Sequence, residues 1–240
     1  LNCVAQLLSL TLQRVEQNHE KAEHIANTQA FGQLVERLDR ATAFDEALTS
    51  ALEEVRSSFG WAYGSYWRRN LQDDRLYFQC ESGKVNETFK RVTRQASFGK
   101  GEGVNGRAWQ LNTLYFVKDL GTVTDCVRRD SAVEAGVKSG VCLPISCQGQ
   151  VVGTLDFFAL ETLTLSLARQ DVLNRITQLL SSALGRIANQ DSQRAEERER
   201  SQHSDTLNQM IELSTTEHHP QALMQKGFAA LAQSMADGYK

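Results

Sequence analysis

The sequence predicts an α+β fold in which helices at both ends flank a strand-rich centre. Twelve of the sixteen glycines lie between Gly60 and Gly153, and the flanks are almost free of glycine. Apolar residues recur every three to four positions in both flanks, which is the period of an amphipathic helix. In the centre, the apolar runs 140–146 and 151–158 are separated by a turn at Gly149 and predict a β-hairpin. Helices would therefore cover one face of an antiparallel sheet.

The other elements follow from residue type. Aromatic β-formers predict strands at residues 61–67 and 75–80, and a short apolar run predicts another at 114–117. Apolar residues at helical spacing predict an amphipathic helix over residues 31–59. Short helices or loops are expected between the strands, at residues 85–92, 104–111 and 131–137.

A repeated segment divides the chain. Residues 1–15 recur as residues 173–187 with eight identical positions, and the match resumes between residues 33–36 and 209–212. Repeats of this length indicate a tandem array of like domains. We therefore predict four segments, namely the last helix of a preceding repeat with its linker, one complete domain, a polar helical linker and the truncated start of a following repeat. Their bounds are 1–30, 31–187, 188–208 and 209–240.

Composition argues against several classes of protein. A net charge of -3 gives no general attraction to nucleic acid or anionic lipid. The chain contains no apolar run of about 18 residues, so direct membrane insertion is not expected. The cysteines are odd in number and lack CxxC spacing, which favours reduced thiols in a cytoplasmic protein over a disulfide framework. They are Cys3, Cys80, Cys126, Cys142 and Cys147.

The positions of the histidines bear on catalysis and on metal binding. None of the five lies between Gly60 and Leu160. The centre therefore lacks the usual general base of a serine or cysteine nucleophile and the commonest zinc and haem ligand. We predict no catalytic residue and no metal site there. The five are His19, His24, His203, His218 and His219, the last pair being more typical of a solvated turn than of a metal site.

Three features of the centre admit two interpretations each. Residues 101–106 match GxGxxG, but no apolar strand precedes them, so a tight turn into a short helix is favoured over a dinucleotide site. Cys126 lies near Arg128 and Arg129 and is either a low-pKa thiolate or an ordinary loop thiol. The two arginines can clamp an anion, although a solvated basic turn is favoured. Cys142 alternates with apolar residues and fits a small core position.

Four motifs in order resemble the GAF domain family. They are the sequences GEGVNGRAW at 101–109, YFVKDL at 115–120, AGVKSGVCLPI at 135–145 and GQVVGTLDF at 149–157, followed by a long helix. The nearest resemblance is to GAF modules repeated in bacterial chemotaxis-receptor-like proteins and sensor histidine kinases. The resemblance implies an antiparallel sheet of about six strands, with the terminal helices on one face and a small-molecule cavity on the other.

The resemblance leaves the ligand open. Family members bind cyclic nucleotides, bilins, haem or small metabolites, or have no known ligand. Cys126 stands near the bilin-attaching position, but Val127 replaces the histidine that typically follows, and the cyclic-nucleotide signature is not recognisable. The cofactor therefore stays unassigned. The residues expected to line a pocket are Phe78, Trp109, Phe116, Cys126, Arg128 and Cys142.

The expected function is a non-catalytic sensory or relay module of a bacterial signal-transduction protein, which couples the state of a small-molecule pocket to the connecting helices. A parallel homodimer through the flanking helices is also expected, with a coiled-coil seam. The seam residues would be Ile176, Leu180, Ala183 and Ile187. Two alternatives are a ligand-free dimerisation spacer and a thiol-dependent enzyme of the methionine-sulfoxide reductase type using Cys126 and Cys142.

Overall fold

The computed structural model describes residues 2–216, 227–229 and 232. The chain divides into two compact units, Leu1–Ile187 and Ala188–Lys240. Most of the segment predicted to begin a following repeat, together with the pair His218 and His219, lies outside the described residues. The predicted α+β fold is confirmed, since the first unit holds a six-stranded antiparallel sheet and long helices precede and follow that sheet in the sequence.

The first two helices are α1 (Asn2–Arg40) and α2 (Phe44–Ser58). Residues 31–59 were predicted as one helix, but the chain breaks before α2, where Ala43 adopts an extended conformation. The side chain of Glu46 accepts a hydrogen bond from the backbone N–H of Thr42 at 3.1 Å, which satisfies a free donor at the helix start. The break lets α1 and α2 pack separately against the sheet, so that both bury apolar faces.

Six strands form the sheet in the order β3-β2-β1-β6-β5-β4, and all pairs are antiparallel. The predicted hairpin is formed by the strands at residues 139–147 and 150–159, and its turn residues Gln148 and Gly149 both have positive φ, as a tight hairpin turn requires. The two-residue strand β3 was not predicted. The strands are β1 (Tyr63–Asn70), β2 (Arg75–Gly83), β3 (Ser97–Phe98), β4 (Tyr115–Val117), β5 (Ser139–Cys147) and β6 (Gln150–Ala159).

The first core lies between the sheet and the helices α1, α2 and α6 (Leu167–Thr216). Alternate residues of β5 and β6 supply its sheet side. The apolar stripe of α6 supplies the other side, and this stripe includes Ile176, Leu180, Ala183 and Ile187, which are at most 8% exposed. These four side chains therefore pack within their own protomer, and the prediction that they pair across a dimer seam needs correction.

The second core lies on the opposite face of the sheet, beneath short helices. These helices are α3 (Glu87–Gln95), α4 (Gly103–Leu111) and α5 (Arg129–Glu134), close to the predicted positions. The GxGxxG segment forms the predicted tight turn into α4, with positive φ at Gly101 and Gly103. The loop after β4 contains one turn of 3₁₀ helix at Leu120–Thr122 and leads to α5. This core has a higher polar content than the first. The candidate site lies in it.

Gly106 provides a test of how tightly α4 is held. A β-carbon at this position would overlap the backbone carbonyl oxygen of Gly99, which cannot move as a side chain can. We expect Gly106→Ala to lower the free energy of unfolding by about 1–3 kcal/mol, measured by urea denaturation. Gly185→Ala is the matched control, because its β-carbon meets nothing within 4 Å in helix α6. It should be neutral or stabilising by up to about 1 kcal/mol, and equal losses in both variants would contradict the overlap.

The beginning of α1 lies outside both cores. The side chains of Leu8, Leu12 and Val15 are 60%, 68% and 62% exposed, whereas the same helix is buried at Leu34 and Leu38. A long apolar stripe exposed on a helix indicates an interaction surface.

The helices within the described residues include none that is both long and apolar enough to cross a membrane.

The second unit is described mainly through the end of α6. All side chains from residue 191 to residue 205 are exposed, and most of them are polar or charged. An ion pair between Arg194 and Asp191 at 3.6 Å follows the helical i,i+3 spacing. This part of the helix therefore depends on propensity and local pairs rather than on a core.

Candidate functional site

The centre of the second core is a buried carboxylate, Asp156 of β6, which is 0% exposed. One of its oxygens accepts hydrogen bonds from the backbone N–H of Ser65, at 3.1 Å, and from the hydroxyl of Ser65. The other accepts from the indole N–H of Trp67 at 3.1 Å. Both donors belong to β1, which pairs directly with β6. The strand register therefore places this polar group in the middle of the sheet and supplies its partners.

Arg128 completes the charge balance. Its Nη2 lies 2.7 Å from the second oxygen of Asp156, and its side chain is only 2% exposed. Burial by itself lowers the pKa of Arg128, but the negative charge of Asp156 raises it, and the net shift is upward. The guanidinium is therefore charged, and the pair is a fully buried ion pair.

Four aromatic rings surround the guanidinium, and we call them the aromatic cage. The central carbon of the Arg128 guanidinium lies 4.9–5.9 Å from each ring centroid, within the range of a cation–π interaction. The rings come from strands β1, β3 and β6 and from helix α3. They are Trp67, Phe89, Phe98 and Phe158.

Helix α4 adds a polar contact at the edge of the cage. The side-chain carbonyl of Asn105 accepts a hydrogen bond from Nη2 of Arg128 at 2.6 Å, and its amide donates to Thr154 at 3.1 Å. The glycine turn before α4 allows this close approach, because Gly106 packs against the backbone of Gly99. Nε and Nη1 of Arg128 have no hydrogen-bond partner in the part of the chain that is described. The guanidinium is thus held mainly by charge and by ring faces.

The two candidate cysteines both lie in the second core. Cys142 is fully buried, and burial raises the pKa of its thiol well above the usual value. Cys126 is 8% exposed and lies in the loop before α5, two residues from Arg128. A raised pKa keeps Cys142 in its weakly nucleophilic thiol form at neutral pH. Among the described residues, no cluster of histidine, cysteine or acidic side chains is arranged to hold a metal ion.

The structure brings together five of the six residues predicted to line a pocket. Trp109, Cys126 and Cys142 belong to the second core, Phe78 packs against it, and Arg128 lies among its aromatic rings. Phe116 is the exception, because it packs against the first core on the other face of the sheet. Neighbouring residues of a strand point to opposite faces, and the parity of β4 places Tyr115 and Val117, rather than Phe116, towards the site. The preferred interpretation of Arg128 as part of a solvated turn was also wrong.

Sequence reasoning did not select several residues of the site. Asp156 was the available signal, because an ionisable residue within an otherwise apolar central strand requires a buried partner. Ser65, which donates to Asp156, and Asn105, which accepts from Arg128, carry no comparable signal, since both residue types are common in strands and turns. The sequence shows that the cage residues are aromatic. It does not indicate which aromatic residues lie on the same face of the sheet and contact Arg128.

Comparison of the sequence with protein families matches the profile described as GAF domain to residues 41–185. No curated protein matches the chain by sequence.

Solved structures with the same fold have low sequence identity. The GAF domain of a phosphoenolpyruvate-protein phosphotransferase from Coxiella burnetii has 14% identity and a TM-score of 0.60, with 70% of this chain and 98% of that chain covered. Free methionine-R-sulfoxide reductase from Neisseria meningitidis, solved with its substrate, has 17% identity and a TM-score of 0.58, covering 69% and 93%. Residues 122 to 287 of a methyl-accepting chemotaxis protein have 19% identity and a TM-score of 0.52, covering 65% and 96%. These similarities establish the fold.

Proposed function

The chain belongs to the GAF domain family through residues 41–185, and from this premise we propose that it is a non-catalytic sensory or relay module of a bacterial, cytoplasmic signal-transduction protein. In this proposal the aromatic cage and its surroundings form the sensing site, and the helices α1 and α6 carry the response. The structural similarity to a domain of a methyl-accepting chemotaxis protein is consistent with such a role. The four described cysteines are unpaired, as is usual for a cytoplasmic protein.

The observation that carries this proposal is the alternation of side chains along β6. Asp156 and Phe158 face Arg128, whereas Leu155 and Phe157 lie in the first core with the long helices. A change at the cage that displaces β6 must therefore disturb the packing of α6, because a close-packed core does not absorb shifts freely. The aromatic cage and the helix core therefore lie on opposite faces of one strand.

The burial of the repeated segment supports a tandem arrangement. Leu180, Leu184 and Ile187 of α6 are buried in the first core, while their counterparts in the repeat, Leu8, Leu12 and Val15, are exposed on α1. The apolar stripe of α6 packs against a sheet, whereas the equivalent stripe of α1 contacts no sheet within the described residues. We infer that the beginning of α1 covers the sheet of a preceding GAF-like domain, and that α1 passes from that domain into the core of this one.

A parallel homodimer through the flanking helices stays part of the proposal, but with different contacts. Since the four residues first assigned to a seam are buried, the dimer would use side chains along the groove between α1 and α6. Val35 is 38% exposed there, and Leu179 and Arg186 line the same groove. The fold alone also fits a ligand-free spacer, which the experiment below separates from a sensor.

A reductase is the second candidate, because free methionine-R-sulfoxide reductase shares the fold. That enzyme type would require a reactive thiol at the site. The raised pKa of Cys142 makes Cys126 the better candidate nucleophile. Thiol-dependent turnover of methionine sulfoxide that is lost in Cys126→Ser, and retained in Cys147→Ser at the β5–β6 turn, would establish the enzyme and overturn the non-catalytic proposal.

The sensory proposal can be tested by ligand screening followed by hydrogen exchange. Small metabolites are screened by thermal shift, and exchange is then measured by mass spectrometry with the strongest stabilising compound. We expect slower exchange both around the cage and in residues 167–187 of α6. Trp67→Leu should abolish the response, while Leu71→Ala, at a side chain 78% exposed, should retain it.

Two results would contradict the proposal. Protection confined to the cage segments would indicate binding without relay to the helices. No stabilising compound, together with no co-purifying small molecule in native mass spectrometry, would favour the ligand-free spacer.

A further inference from the structure

We propose that the aromatic cage is a receptor for a small organic cation of the alkylated ammonium or guanidinium type, and that Arg128 is its built-in occupant. The inference rests on the proposed sensory function and specifies the ligand class and the regulation of the same site. In the resting state Arg128 fills the cage, and a free cation competes with it.

The cage has the chemistry of a cation site. Four ring faces converge on the guanidinium of Arg128, and the carboxylate of Asp156 lies 2.7 Å from it. The quadrupoles of the rings and the full negative charge of the carboxylate therefore both attract a cation at this point. Ring faces carry negative electrostatic potential and attract cations most strongly where water is excluded. An anionic ligand would be repelled by the same ring faces and carboxylate.

The cage is built independently of its occupant. Trp67 and Phe98 contact edge-to-face at a centroid distance of 4.8 Å, and Phe89 and Phe158 do so at 5.6 Å. Asp156 keeps donors from Ser65 and Trp67 in addition to Arg128. These contacts remain when Arg128 leaves, so the receptor is pre-organised and the carboxylate is not left bare.

Arg128 fits the cage incompletely. A guanidinium has five N–H donors, yet Nε and Nη1 of Arg128 lack hydrogen-bond partners within the described chain. Buried donors without partners cost free energy. A quaternary ammonium ion has no N–H donor and would avoid this cost, which makes it a competent competitor for the same space.

The occupant is attached to a segment that can move. Arg128 directly precedes the short helix α5 and follows a loop in which Thr124, Asp125 and Val127 are exposed. Val123 and Cys126 of this loop are buried in the second core. Asp125 ties the loop to α4 through Arg107 at 2.9 Å and through the backbone N–H of Gly103 at 3.3 Å, and partly exposed ion pairs of this kind contribute little. Local opening of such a segment requires far less free energy than global unfolding.

The test uses Arg128→Ala, with tetramethylammonium and guanidinium chlorides at millimolar concentration as probes and sodium chloride as the ionic-strength control. We expect both cations to raise the Tm of Arg128→Ala and to give saturable heats in calorimetry, whereas sodium does neither. Wild-type protein should bind at least about tenfold more weakly, because only the fraction with Arg128 displaced is competent. Arg129→Ala should behave as wild type, since Arg129 bonds to the carbonyl of Gly121 outside the cage.

A measurement on wild-type protein does not depend on the variant folding. Tetramethylammonium should increase hydrogen exchange in residues 123–128 while protecting β6. A folded Arg128→Ala that shows no cation-specific binding, or unchanged exchange at 123–128 in wild type, would overturn the inference. Neither result decides the sensory proposal, which is tested separately by whether any small metabolite slows exchange in residues 167–187 of α6.

Discussion

Replacing Asp156 by alanine is expected to lower the free energy of unfolding by about 3–5 kcal/mol, because it removes the counterion of a buried charge. Arg128 is 2% exposed, and its guanidinium would remain charged inside an apolar site. Among the described residues, only the amide oxygen of Asn105, at 2.6 Å, would still accept a hydrogen bond from it. Urea denaturation followed by circular dichroism measures the loss.

Two further variants separate the ion pair from general disruption. Asp45→Ala removes the partner of Arg68 in an exposed pair, with side chains 79% and 43% exposed, and should cost less than about 1 kcal/mol. The double variant Arg128→Met, Asp156→Leu should recover much of the stability that Asp156→Ala loses, because no unpaired charge remains. A loss below about 1 kcal/mol in Asp156→Ala would mean that Arg128 escapes to solvent at little cost.

Local patterns were sufficient for most of the fold. The β5–β6 hairpin was predictable because two apolar runs flank Gly149, whose positive φ the turn requires. The break between α1 and α2 was not predictable, because neither glycine nor proline occurs among the residues at the break, which are Ala41, Thr42 and Ala43. Their conformation is decided by packing of the two helices on one sheet. Strand β3 consists of only two residues and exists because Leu76 and Tyr77 pair with it.

The candidate site was harder to predict for a physical reason. Arg128 follows an exposed valine and precedes a half-buried arginine in a loop, and this local pattern is typical of a solvated turn. Its burial results from rings contributed by four distant elements, which no local pattern connects. Asp156 was the better signal, because a carboxylate in an apolar strand implies a buried cation somewhere else in the chain. Only the three-dimensional fold shows that this cation is Arg128.

The repeat shows that burial is set by surroundings as well as by sequence. Residues 1–15 and 173–187 share eight of fifteen positions, yet Leu184 is 0% exposed and Leu12 is 68% exposed. Residues 2–15 and 173–187 both form helix, since helical periodicity is local. Only the second contacts a sheet within the described chain. This pair of equivalent leucines therefore allows the same substitution to be made in two environments.

Leu184→Ala is expected to lower the free energy of unfolding by about 2–5 kcal/mol, through lost burial and the cavity left in the first core. Leu12→Ala, at the equivalent position of the repeat, should change it by no more than about 0.5 kcal/mol, because the side chain is already in contact with solvent. Both values are obtained from urea denaturation monitored by tryptophan fluorescence. A large loss for Leu12→Ala, varying with protein concentration, would instead show that the apolar stripe of α1 is covered by a second copy of the chain, and the assignment of that stripe to a preceding domain would then fail.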